Sequence, residues 1–165
     1  RSVDLALRAT RPTSGDLTVK RLREFRLAPF VAERVLVREG HAELRRLPWV
    51  GWSEDAEWPE AIWQREHFPE VRVVLRANQL GPLRAACVAG WGVALLPEQM
   101  SLLEPSLVRR PLELPPLAGS LWLIGNSTAL ELPHVRLVWE ELSEILAERT
   151  LEEDGALLRA LRSRS

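Results

Sequence analysis

Two side-chain amides stand together at Asn78 and Gln79, directly ahead of a helical pattern that opens at Leu80 and carries Pro82 in its first turn. Proline has no backbone N–H and is tolerated where a helix leaves its donors unpaired, so the helix is expected to begin between residues 78 and 81. The unpaired amides of that turn, with Asn78 and Gln79 beside them, suit a carboxylate or another small polar group. The plainer role for Asn78 is to cap the helix, which asparagine favours and which is compatible with ligand contact.

The remaining reactive residue types point to less. Cys87 is the single cysteine, so no internal disulfide can form, and the usage fits a reducing compartment. It falls on the small-residue face of the same helix and is expected to be a buried, inert thiol. His41, His67 and His134 lie far apart with no partner at ligand spacing, so neither metal nor cofactor is expected. No serine sits in a Gly-x-Ser-x-Gly elbow, and Glu54, Asp55, Glu57 and Glu60 read as a solvated helix start where carboxylates favour the macrodipole. Of the seven tryptophans most are expected in the core; Trp52 is the one expected to reach a binding cleft.

These residues need elements to hold them. Residues 71–75 are a β-branched run, 80–89 have apolar and small residues at helical spacing, and 92–96 are apolar again, which together predict a βαβ unit. Such a unit requires a parallel sheet, and ligands gather where the carboxyl ends of parallel strands meet helix N-termini. Asn78, Gln79 and Leu80 occupy that junction. Residues 3–7 predict a strand, 25–32 another, 33–39 a short helix stopped by Gly40, and 49–52 a brief strand. Ser53 could cap a helix carrying Trp58, Ile62 and Trp63, with Pro59 in its first turn. A short helix over 98–103 and a strand over 107–114 run into Pro115-Pro116, and 121–124 form a further strand. The helix from Pro133 should bury Val135, Val138, Trp139, Leu142, Ile145 and Leu146 as one stripe, and 151–165 read as a frayed helix or partner-binding tail.

Composition excludes several classes. With 165 residues, 46% hydrophobic and 27% charged, the chain is long enough for a sizeable core and is not of disordered composition. A formal net charge of −1 gives no global case for binding nucleic acid or anionic membrane. Residues 1–46 nonetheless carry eleven basic and six acidic side chains (+5), against eleven and seventeen (−6) beyond, which reads as solvated faces. There is no leader pattern and no apolar run of bilayer length, so a cytoplasmic protein without membrane contact is expected.

RAN at 76–78, LRAA at 83–86 and AGWGVALLP at 89–97 closely resemble the effector-binding domain of LysR-type transcriptional regulators. DLALR at 4–8, LREFRLAPFVA at 22–32, LRRLPWVGW at 44–52 and SLWLIG at 120–125 continue the resemblance in order and spacing, from residue 3 to about 146. No one of these motifs is specific; their order carries the likeness. It implies a type 2 periplasmic-binding α/β fold, with one complete Rossmann-like lobe and part of a second joined by two crossover strands. The lobes would be 11–118 and, incompletely, 1–10 with 119–149, followed by a charged tail over 150–165.

By the same resemblance a small effector would bind between lobes. Phe30, Val31 and Ala32 would contribute from one strand end, Gly51, Trp52 and Ser53 from another, Asn78, Gln79 and Leu80 from the helix, and Thr10 from the first hinge. Effector binding would shift an interlobe equilibrium through its differential affinity alone. The family's winged helix-turn-helix is not among residues 1–165, so DNA would be bound only through a domain absent from this chain, within a homo-oligomer. A solute-binding protein of a transport system, an enzyme on the same fold, and a shortened regulator that only associates with other chains are the alternatives.

Overall fold

A computed structural model describes residues 4–115 and 117–162. The expected start of the first strand at Val3 and the second proline of the Pro115-Pro116 pair lie outside the described residues. The chain forms two compact units, one of Arg26–Leu117 and the other of Arg1–Phe25 with Ala118–Ser165. The first division thus falls at Phe25/Arg26 and not near Thr10. The reason is β2, a single strand over Leu17–Ala32, whose first half belongs to the unit that contains most of its partner β7 (Leu117–Asn126).

In the unit Arg26–Leu117, β2 continues through α1 (Glu33–Arg38) to β3 (Trp49–Trp52), α2 (Pro59–His67), β4 (Val73–Ala77) and α3 (Leu80–Val88). β5 (Ala94–Pro97), α4 (Met100–Leu103) and β6 (Leu107–Arg109) complete it. Gly40, in the left-handed region at φ +61°, ends α1 as expected. β3 and β4 pair in parallel across α2, and β2 is flanked antiparallel by β5 and β6.

The expected βαβ crossover through α3 is present in a modified form. β4 and β5 are not neighbours, because β3 stands between them. Val93, just ahead of β5, makes a parallel bridge to Trp49 and accepts a hydrogen bond from the Val50 N–H at 2.8 Å. The backbones come so close there that a Cβ at position 92 would strike the Pro48 carbonyl, so Gly92 is required by contact. One apolar cluster, including Phe30, Val35, Leu47, Trp49, Leu83, Cys87 and Leu96, forms the core of this unit.

The other unit pairs β1 (Leu5–Arg8) with β7 in antiparallel register, Leu5 opposite Gly125 and Arg8 opposite Trp122. Two helices follow, α5 (Pro133–Ile145) and α6 (Leu151–Arg162). The stripe expected on α5 is only partly formed: Val135 is buried, whereas Val138 and Ile145 are 49% and 42% exposed. At about 100° per residue, Val135, Trp139, Leu142 and Leu146 cluster within one narrow sector, from which Val138 and Ile145 are rotated away.

Residues 151–162 form a docked helix where a frayed helix or partner-binding tail was expected, and residues 163–165 lie outside the described residues. Thr150 and Glu153 form a capping box: the Thr150 N–H donates to Glu153 Oε2 at 2.7 Å and the Glu153 N–H to Thr150 Oγ1 at 3.2 Å. From β2, Arg23 donates twice to Asp154, Nη1 to Oδ1 at 3.0 Å and Nη2 to Oδ2 at 2.7 Å, with both side chains about nine-tenths buried.

Candidate functional site

β3 and β4 run parallel with Trp52 opposite Ala77, so their carboxyl ends finish level. The next residues, Ser53 and Asn78, begin the two loops there. The Ser53 N–H donates to the Ala77 carbonyl at 2.9 Å, and Arg76 Nη1 donates to the Trp52 carbonyl at 3.2 Å while Nη2 pairs with Glu54 at 3.2 Å. Both loops are therefore tied to the strand ends.

α3 opens immediately beyond. Gln79 is its N-cap residue, in extended conformation (φ −142°, ψ 150°), and no side chain caps the helix. Asn78, expected as a cap, makes no such bond and lies exposed next to Gln79 and Leu80. The first turn holds no acidic residue and Pro82 supplies no donor, so the backbone amides of Leu80 and Gly81 and the positive end of the helix dipole meet no carboxylate of their own helix. An exposed pair of amides beside an uncapped helix start can receive an anion or a carbonyl oxygen.

The other expected site residues are placed differently. Phe30 and Val31 are fully buried and Ala32 is 3% exposed. Flanked by β5 and β6, the end of β2 is an inner strand, so the Phe30 and Val31 side chains are core, while Ala32 borders a cavity with Glu33, Arg34 and Arg84. Trp52, expected to reach a binding cleft, is 8% exposed and borders a cavity beside α2. Ser53 is half-buried in a turn closed by the Ala56 N–H and does not cap α2, whose N-cap residue is Trp58. Trp58 and Ile62 are 50% and 40% exposed, and of the expected α2 residues only Trp63 turns inward. Thr10 is exposed in the other unit, after β1. The fold of the unit Arg26–Leu117 thus brings together Ser53, Asn78, Gln79 and Leu80.

One polar residue escaped the sequence reading. Gln64 is 7% exposed on α2, and a cavity of about 460 Å³ is bordered by Gln64, Trp52, Phe68 and Arg76. Its signal was its position, three residues after buried Ala61 and four before buried Phe68, on the inward face of the helix.

Cys87 is fully buried on α3, its Sγ–H directed at the Phe30 carbonyl at 3.3 Å. Burial pushes the thiol up to about 12, against a weaker opposing effect of the Ala94 backbone. That sulfur is part of the core. Among the described residues no cluster of His, Cys, Asp and Glu is arranged to hold a metal ion, and no helix is long and apolar enough to cross a membrane.

Comparison with known proteins gives this arrangement a family. No curated protein matches the sequence. Among solved structures, CrgA of Neisseria meningitidis, a LysR-type transcriptional regulator, superposes with TM-score 0.70 at 19% identity, over 87% of this chain and 52% of CrgA. The CrgA regulatory domain alone gives 0.67 at 18% identity, over 88% of this chain and 76% of the domain. DarR of Vibrio fischeri, solved in complex with DNA, gives 0.64 at 16% identity, over 85% of this chain and 50% of DarR. The chain spans about half the length of the intact regulators and shares the type 2 periplasmic-binding α/β fold of their regulatory domains. The family model of the LysR substrate binding domain matches residues 1–147, and the chain belongs to that family.

Proposed function

We propose that the chain is the effector-sensing part of a LysR-type transcriptional regulator and that it binds a small polar or anionic molecule at the start of α3. The carrying observation is the uncapped helix start at the level ends of a parallel strand pair, with Asn78 and Gln79 exposed beside it. Family membership supports a regulatory and non-enzymatic role. Ligand binding acts by favouring one conformation of the regulator, and its differential affinity is the whole of the switching energy. DNA contact belongs to a winged helix-turn-helix outside residues 1–165, within a cytoplasmic homo-oligomer.

The reading is tested by screening small carboxylates and amino acids for thermal stabilisation and measuring the hits by calorimetry. Replacing Asn78 and Gln79 together by Ala should weaken the effector about tenfold or more, the loss of two hydrogen bonds to a charged group. Unchanged affinity in the double variant removes this site.

A further inference from the structure

The cavity beside α2 is bordered by one buried donor without a partner and by an amide that makes no hydrogen bond within the chain among the described residues. Gln64 is buried to more than nine-tenths, yet no side chain or backbone group among the described residues hydrogen-bonds its amide. The amide is held in place by shape. A Cβ at position 51 would come within 2.9 Å of Nε2 and 3.1 Å of Oε1, so Gly51 is the residue that lets the amide lie against the strand. In the wall of the same cavity Trp52 Nε1 is buried without a partner. Buried donors normally find acceptors, and the orphaned Trp52 indole N–H bordering one roomy cavity with the Gln64 amide marks a place where an acceptor is missing.

The surroundings specify what that acceptor is attached to. Trp52, Phe68 and Val73 supply apolar wall. Arg65 and Arg76 face the cavity with Glu54, one positive charge in excess, and their bonds to backbone carbonyls and to Glu54 use only some of their N–H groups. We propose that this cavity is a second ligand site, separate from the start of α3, which takes a small carboxylate with a flat apolar body. The Gln64 amide receives the carboxylate, the aromatic walls cover the body, and the two guanidinium groups supply the attracting field.

Phenylacetate and its neutral amide, phenylacetamide, are the probes, titrated into the ¹⁵N-labelled chain while the Gln64 side-chain amide and the Trp52 indole N–H are followed by NMR. Phenylacetate should shift both signals saturably, with phenylacetamide at least about fivefold weaker. Gln64→Met, unbranched and of similar length, should raise the Kd about tenfold without lowering the unfolding midpoint of the free chain, because no hydrogen bond within the chain is lost with the amide. Arg65→Gln, which leaves the buried amide untouched, should raise the Kd severalfold and tests the site even if Gln64→Met folds poorly. The Asn78/Gln79 double Ala variant should leave the Kd for phenylacetate unchanged.

Static Gln64 and Trp52 signals, equal binding of phenylacetamide, or an unchanged Kd in Gln64→Met or in Arg65→Gln would each overturn the proposal. Loss of phenylacetate binding in the double variant alone would do the same and move the ligand to the start of α3, whereas failure of the double variant to weaken the effector overturns that other reading and leaves this cavity standing.

Discussion

At the level of single residues, chemistry was legible wherever it depended on local sequence. Asn78 and Gln79 stood out because Pro82 fixes where a helix can start, and their exposure follows from that start. A glutamine on a charged helix ordinarily faces water, and the spacing of Gln64 from Ala61 and Phe68 was the one sequence signal that it points inward, where it lies against Gly51. The burial of Phe30 and Val31 was not legible for the converse reason: a strand end is open or sealed according to its neighbours, and β5 and β6 flank this one on both sides. Cys87 gives the clearest residue-scale prediction. Its thiol is raised from about 9 to about 12, so the unfolded chain loses this proton at lower pH than the folded one. Folding stability should then fall as pH rises through that window, by about 1.4 kcal/mol per pH unit, and be independent of this group below it. Iodoacetamide at pH 8 should leave the native thiol intact and modify it in denaturant; rapid modification of the native chain would place the sulfur in reach of solvent.

Elements were legible in proportion to how local their stabilising contacts are. The helix starting at Leu80 was placed correctly because its apolar spacing and its proline lie within the helix itself. The first half of β2 was not, since residues 17–24 mix apolar and charged side chains without a period of two, and its partners are β7 and α6, remote in sequence. The capping box at Thr150 and Glu153 was visible in the sequence as Thr-x-x-Glu, but Arg23, the residue that docks α6, lies 131 positions away from Asp154. Breaking that pair leaves the buried guanidinium with the Arg149 carbonyl and the charge of Glu148, and the Arg23 Nε is already without a partner. Asp154→Ala should therefore cost about 3 kcal/mol in chemical denaturation and expose the amides of α6 to exchange. Thr150→Ala removes one cap and should cost about 1 kcal/mol. Should Asp154→Ala prove no worse than Thr150→Ala, α6 would be held by its apolar face and not by the ion pair.

Across the whole molecule, the order of motifs along the chain was enough to identify the fold, whereas the division into units was not, because β2 passes from one unit into the other as an unbroken strand. The two units differ in what holds them. The unit Arg26–Leu117 has a contiguous core running from Ala28 to Leu107, with Phe30, Val31, Val35, Leu47, Trp49 and Leu96 fully buried. In the other, the buried apolar residues among those described are Leu22, Leu123, Ile124, Ala129 and Val135, while Leu7, Leu132, Leu137, Val138 and Ile145 are each more than 40% exposed. Opening free energy follows the apolar surface a region would give up, so the second unit should open locally well before the first. Hydrogen exchange read by mass spectrometry should find the slowest amides in β3, β5 and α3, near the limit set by global unfolding. Faster, sub-global exchange is expected in β1, β7 and α5. Uniform protection across both units would mean that the chain opens in one cooperative step, and the sparse packing around α5 would then be no guide to where this molecule yields.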